Sequence, residues 1–212
     1  MAQRPRPRRP AMLDPAEAER IQGDEDPAAR SEVAHTTAQA LVNRGREEAP
    51  DDPELVARLI RLVDTEGLDA IAILWARSPA TTLPGTLWRL YLLREWVRRD
   101  PRTVAERYRL GVHRAEVAGA VAGVADPPGP DEVSEVADAV LHGLFDGDLA
   151  VALERAGAFL RVLATGSALD ADWIEHDDDQ LADAVTRRGG ALLATAEELE
   201  AAAELHRLGR LD

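Results

Sequence analysis

Apolar residues recur along this chain at three- and four-residue intervals, the period of a helix with one buried face. Val33, Thr37, Ala40 and Leu41 line one face of a first helix that starts near Pro27 and that Gly45 can stop. Asp52-Pro53 opens a second segment, where Leu55, Val56, Leu59, Ile60, Leu62 and Val63 form a wide stripe punctuated by Gly67. A shorter helix is expected over Leu68–Trp75, before Pro79. Thr81, Thr82 and Pro84 start the next, which runs to about Arg99. Asp100-Pro101 caps another through Leu110, and a further helix spans about His113–Val124.

Asp126-Pro127-Pro128-Gly129-Pro130 is the clearest break in the chain. Beyond it Val133, Val136, Ala137, Val140, Leu141 and Leu144 mark an amphipathic helix. Leu149, Ala152, Leu153, Ala156, Leu160 and Leu163 mark the next, which Gly166 is expected to end. Leu181, Ala184 and Val185 predict a short helix closed by Gly189-Gly190. A last helix is expected to begin at Thr195, whose spacing to Glu198 is that of a capping box. No stretch alternates with a period of two between turn signals, so no sheet is expected.

These elements predict an all-α fold, a compact bundle of about eight to ten helices. Residues 1–26 read as a disordered tail, Arg/Pro-rich at first and then acidic. An N-terminal helical subdomain over 27–125 and an acidic C-terminal one over 131–212 are expected to share one core.

Composition narrows the chemistry. Aromatics are only 4% of the chain, so the core must be made of Ala, Leu and Val. Cysteine is absent, which removes disulfides, thiol nucleophiles and thiolate-bound metals. Every Lys+Arg position is arginine. A P-loop and a pyridoxal Schiff base both require lysine, so both classes are excluded. The bias toward Ala and Arg is that of a high-GC bacterial genome. No secretory pattern follows Met1–Pro10, and the apolar run Leu83–Val97 is broken by Arg89, Arg94 and Glu95. A cytoplasmic protein without a membrane span is expected.

The net charge of −14 is unevenly placed. Arg89, Arg94, Arg98, Arg99, Arg102, Arg107, Arg109 and Arg114 lie between Trp88 and Arg114, against the acids Glu95, Asp100 and Glu106. Trp88, Tyr91, Trp96 and Tyr108 are interleaved with them, a composition that suits phosphate contacts and base stacking. Trp88, Leu92 and Trp96 share a face at four-residue spacing in a helix that is apolar nearly all round, which places the tryptophans in the core and the arginines at its exposed end. A helix-turn-helix can be drawn over Thr103–Val124, turning at Gly111-Val112. Its second helix offers mostly Ala, Val and Gly and reads as buried, with Gly119 and Gly123 permitting close helix packing.

Asp170, Asp172, Glu175, His176, Asp177, Asp178, Asp179 and Asp183 concentrate oxygen donors. Asp172, His176, Asp179 and Asp183 are the candidate ligands for a weakly held Mg²⁺ or Ca²⁺, with no other cofactor indicated. His176-Asp177, with His142 before it, resembles the central dipeptide of the HD-type metal-dependent phosphohydrolases, and the resemblance implies metal-assisted hydrolysis. That family has a further metal-binding aspartate well downstream, whereas after Asp183 this chain has only Asp212. A solvated turn capping the following helix, with His176 at its edge, is the preferred reading of Asp177–Asp179.

The leading expectation is a non-catalytic interaction or adaptor protein with a protein partner. Association with nucleic acid through the arginine segment is the first alternative, and a metal-dependent hydrolase at 170–183 is the second.

Overall fold

The computed structural model describes residues 26–43, 67–124, 129–143, 149–174 and 179–212. Within them the chain is all-α, with eight helices and no strand. In chain order these are α1 (Pro27–Val42), α2 (Asp69–Trp75), α3 (Leu83–Arg99), α4 (Pro101–Val112), α5 (Glu116–Ala122), α6 (Pro130–Gly143), α7 (Leu149–Ile174) and α8 (Asp179–Arg207). Of the tail expected over 1–26, all but Asp26 lies outside the described residues, as does the apolar stripe from Leu55 to Val63.

Local chemistry explains the helix starts. Asp26 accepts a hydrogen bond from the Ala28 N–H at 3.0 Å, with Pro27 in the first position of α1. Thr82 does the same for Gly85 at 3.3 Å and Asp100 for Thr103 at 3.3 Å, each with a proline in the first turn. Such caps satisfy N–H groups that have no partner inside the helix. At the other end of α5, Gly123 carries φ of 71°. It is the left-handed residue that follows a helix, not a packing glycine.

The two longest helices depart from expectation. The helix begun at Leu149 does not stop at Gly166, and α8 continues through Gly189-Gly190 and past Thr195. Gly166 sits where α7 crosses α4: a Cβ there would collide with the backbone carbonyl of Arg107, and one at Gly111 would collide with that of Val162. Two glycines thus bring two backbones together, a gain that outweighs the roughly 0.5–1 kcal/mol a mid-helix glycine costs. Gly189 lies against Ala164 and Ser167, so α8 rides close on α7. Thr195 is no cap; its hydroxyl donates back to the Ala191 carbonyl at 2.9 Å, and Glu198 instead pairs with Arg89 of α3.

α7 and α8 form an antiparallel pair. Arg161 makes a two-pronged bond to Glu200, both at 2.6 Å, and Arg207 reaches Glu154 at 2.6 Å. α4, α5 and α6 pack on the rest of α7, while α3 touches α1, α2, α4, α6 and α8. The buried residues form one cluster that draws on both sides of the proline-rich break, from Ala34 and Leu41 to Leu199 and Ala203. Its shape is Ala-rich, as composition demands, with Tyr108 stacked on Phe159 at 5.2 Å. Trp75 is buried and donates its indole N–H to Thr37 at 3.0 Å; Thr37 in turn donates to the Ala34 carbonyl.

α3 buries Leu83, Leu87, Leu90, Leu93 and Val97. The expected Trp88–Leu92–Trp96 stripe is not the core face, since Leu92 is 46% exposed and both tryptophans are half-buried. The neighbours of α3 lie along the leucine side, which the sequence of a helix apolar nearly all round could not select. The N–H of Leu83 donates to the backbone oxygen of Asp212 at 2.6 Å, which ties the end of the chain to the start of α3. No helix among the described residues is long and apolar enough to cross a membrane.

Candidate interaction surface

Asp100 turns the chain sharply between α3 and α4, so that the last turn of one helix and the first of the next share a corner. Arg98 and Arg99 close α3 and Arg102 opens α4; all three are exposed. Along α4 the buried positions are Val104, Ala105, Tyr108 and Gly111, which fix that face against the bundle. The opposite face then carries Arg102, Glu106, Arg109 and His113, spaced by three or four residues, with Arg114 in the following turn; all are exposed. At the end of this ridge a depression of about 330 Å³ is lined by His113, Arg114, Ala115, Glu116 and Ala118.

The structure divides the eight candidate arginines into two sets. Arg89 pairs with Glu198 and also donates to the Gly85 carbonyl at 2.9 Å. Arg94 pairs with Asp138 at 2.6 Å and Glu95 at 3.3 Å. Arg107 is half-buried and engaged within the protein. These three hold the fold together. Arg98, Arg99, Arg102, Arg109 and Arg114 are exposed, and among the described residues none enters an ion pair or side-chain hydrogen bond. Five guanidinium groups thus face solvent beside the exposed acids Asp100, Glu106 and Glu116. Each guanidinium presents a planar fork of donors suited to carboxylate or phosphate.

The aromatic residues do not join this ridge. Trp88 and Tyr91 stack on each other at 5.5 Å and lean on the core, and Trp96 is half-buried. Tyr108, the only Phe, Trp or Tyr between Arg98 and Arg114, is 1% exposed. The helix-turn-helix also dissolves: α5 has seven residues and packs on α7. Nor is α5 buried as its composition suggested, because Ala120 and Val121 are exposed while only Ala122 among its described side chains is buried.

Groups with shifted ionisation have structural causes. Burial pushes the Tyr108 hydroxyl up to about 12, and its oxygen has no hydrogen-bond partner among the described residues. Tyr91 is likewise raised to about 12, first by burial and then by its hydrogen bond with Asp69. The Glu154 carboxyl is lowered by the bond from Arg207, and the Arg161 guanidinium is raised by Glu200.

Of the candidate metal ligands, Asp172 lies in α7, Asp179 and Asp183 four residues apart in α8, and His176 outside the described residues. Among the described residues no group of three His, Asp or Glu side chains converges. The helical sequence pattern did not reveal a second feature, a groove between α1 and α2 with Val33 and Ile73 exposed in it. Val33 shares a helical period with Thr37 and Leu41, and no local signal separates it from them. The chain matches no family model, no curated protein and no solved structure.

Proposed function

We propose that this is an interaction protein that binds an acidic protein segment along the arginine ridge of the α3–α4 corner. The observation that carries this reading is the sorting of the arginines: three are consumed by intramolecular contacts and five stand exposed with no ion-pair or hydrogen-bond partner among the described residues. Like charges held side by side repel, and a carboxylate-rich partner relieves that repulsion while steering its own approach. Position on α4 adds rigidity, because Val104, Ala105, Tyr108 and Gly111 lock the helix against the bundle. A protein partner is favoured over nucleic acid because, among the described residues, no aromatic side chain is free in the ridge for base stacking.

The test compares wild-type protein with an Arg102→Glu/Arg109→Glu variant. Labelled polyglutamate and a single-stranded oligonucleotide of matched charge serve as probes at two salt concentrations, followed by affinity capture from nuclease-treated lysate. The proposal expects salt-sensitive binding of polyglutamate, weakened by about tenfold or more in the variant, and captured proteins that survive nuclease but not the substitutions. Stronger binding of the oligonucleotide would move the ridge to nucleic acid. Equal capture by both proteins would remove the ridge from function altogether. Because both positions are exposed, the variant's stability should stay within about 0.5 kcal/mol of wild type.

A further inference from the structure

A trough of about 240 Å³ lies where α3 and α8 come together over α7, lined by Leu92, Leu93, Trp96, Leu160, Leu192 and Thr195. It takes up part of the Trp88–Leu92–Trp96 stripe that the core leaves out: Leu92 is 46% exposed and Trp96 half-buried. The two walls run antiparallel, because Arg89 pairs with Glu198 at one end while Trp96 and Leu192 share the trough. That ion pair closes one end, and its arginine is tied further by a bond to the Gly85 carbonyl. The other end is different. Arg99 lies three residues beyond Trp96 on α3, and Arg188 four residues before Leu192 on α8, each on the helical period of the lining residues. Each stands about 15 Å along its helix from the closed end. Both guanidinium groups are exposed, and among the described residues neither has an ion-pair or hydrogen-bond partner.

We infer that this trough binds an amphipathic acidic segment of another protein, with aliphatic side chains on its apolar floor and carboxylates on Arg99 and Arg188. Charge complementarity selects that partner. Two unpaired guanidinium forks at the open end of an apolar trough receive carboxylates placed beside apolar anchors, and they repel a basic segment. Size argues in the same direction. At about 240 Å³ the trough is smaller than the roughly 300–1,000 Å³ pockets that enclose small molecules. It has room instead for a few side chains of the kind a helix presents at three- and four-residue spacing. Tryptophan and arginine, which it supplies together, are the residues that most often dominate binding at such surfaces. Arg99 also belongs to the α3–α4 ridge, whereas Leu92, Trp96, Leu192 and Arg188 do not. The trough is therefore a second surface, and its partner needs apolar side chains that polyglutamate lacks.

In the test, the full chain is titrated into a labelled peptide of about fourteen residues, with leucines at helical spacing and a glutamate-rich end. Companion peptides carry alanine for the leucines or lysine for the glutamates. The first peptide should bind, and each companion should bind at least about tenfold more weakly. Arg188→Glu should weaken the leucine–glutamate peptide by about tenfold and leave polyglutamate within about twofold. Arg188 is exposed, so that variant should unfold at the wild-type midpoint. Arg102→Glu/Arg109→Glu should weaken polyglutamate more than the peptide, so trough and ridge fail separately. Equal binding of the alanine companion, or equal binding by wild type and Arg188→Glu, overturns the proposal. The chain has no cysteine, so Leu92→Cys places a single thiol in the trough wall. Saturating peptide should slow its labelling by about fivefold or more and leave Val121→Cys on α5 unchanged. Undiminished labelling at Leu92→Cys would also overturn it. Tighter binding of laurate than of the peptide would give the trough to a small amphiphile, and a dimer in sedimentation that Leu192→Glu separates would give it to a second copy. Either result overturns the proposal.

Discussion

The crossing of α4 and α7 makes a prediction in which one substitution has opposite signs at two glycines. Replacing a mid-helix glycine by alanine removes backbone freedom from the unfolded chain and stabilises a helix by roughly 0.5–1 kcal/mol when space permits. At Gly190 of α8 nothing lies within 4 Å of the added Cβ, so Gly190→Ala should gain that amount. At Gly166 the new Cβ overlaps the Arg107 carbonyl and lies 3.1 Å from the Gly111 nitrogen. Both are backbone atoms, so no side chain can swing aside and α4 itself must move. Overpacking of a tight interior costs about 1–3 kcal/mol, and a clash with rigid backbone belongs at the upper end of that range. Subtracting the helical gain of up to about 1 kcal/mol leaves Gly166→Ala destabilised by about 2 kcal/mol. The two variants should therefore differ by roughly 3 kcal/mol, a large share of the 5–15 kcal/mol typical of a domain. Guanidinium unfolding followed by far-ultraviolet circular dichroism measures both, with the slope checked for constancy. A neutral or stabilised Gly166→Ala at unchanged slope would refute the backbone-to-backbone contact, and with it the packing that orients the arginine ridge.

Further outcomes follow from single contacts. Thr37→Val keeps the size of the side chain but strands the buried Trp75 indole N–H. The expected loss is about 1–3 kcal/mol in the same unfolding assay, and a larger loss for Thr37→Ser than for Thr37→Val would contradict it. The chain's two tyrosines are both raised from 10.0 to about 12, so ultraviolet titration of the native protein should show no phenolate step near pH 10. Because the folded-state values are raised, their stabilising contribution is complete below about pH 10 and fades as pH climbs toward 12. The Glu154 carboxyl is held below its ordinary 4.5 by Arg207, so its contribution is present above that value and is lost as pH falls through the lowered one. Arg207→Gln should return the carboxyl to its ordinary range in an NMR titration; an unmoved titration would mean the ion pair does not form in solution.

Helix class and most helix boundaries were determined by the sequence alone, because they depend on residues only a few positions apart. Asp26-Pro27, Thr82-Leu83-Pro84 and Asp100-Pro101 each combine a capping oxygen with a proline suited to a first turn, and each starts a helix where expected. Glycine was read wrongly where its reason lay elsewhere in the chain. Gly166 and Gly189 resemble helix stops until the carbonyl of Arg107 and the side chain of Ser167 are placed beside them. Gly123, read as a packing glycine, takes the terminal role instead. The same limit governed the arginines. Eight of them look alike between Trp88 and Arg114, and only the positions of Glu198 and Asp138, 109 and 44 residues away along the chain, single out Arg89 and Arg94 as struts. What remains after those long-range partners are assigned is the exposed ridge. Local spacing decides which segments are helical, whereas the role of each side chain on them depends on the surfaces that distant segments bring against it.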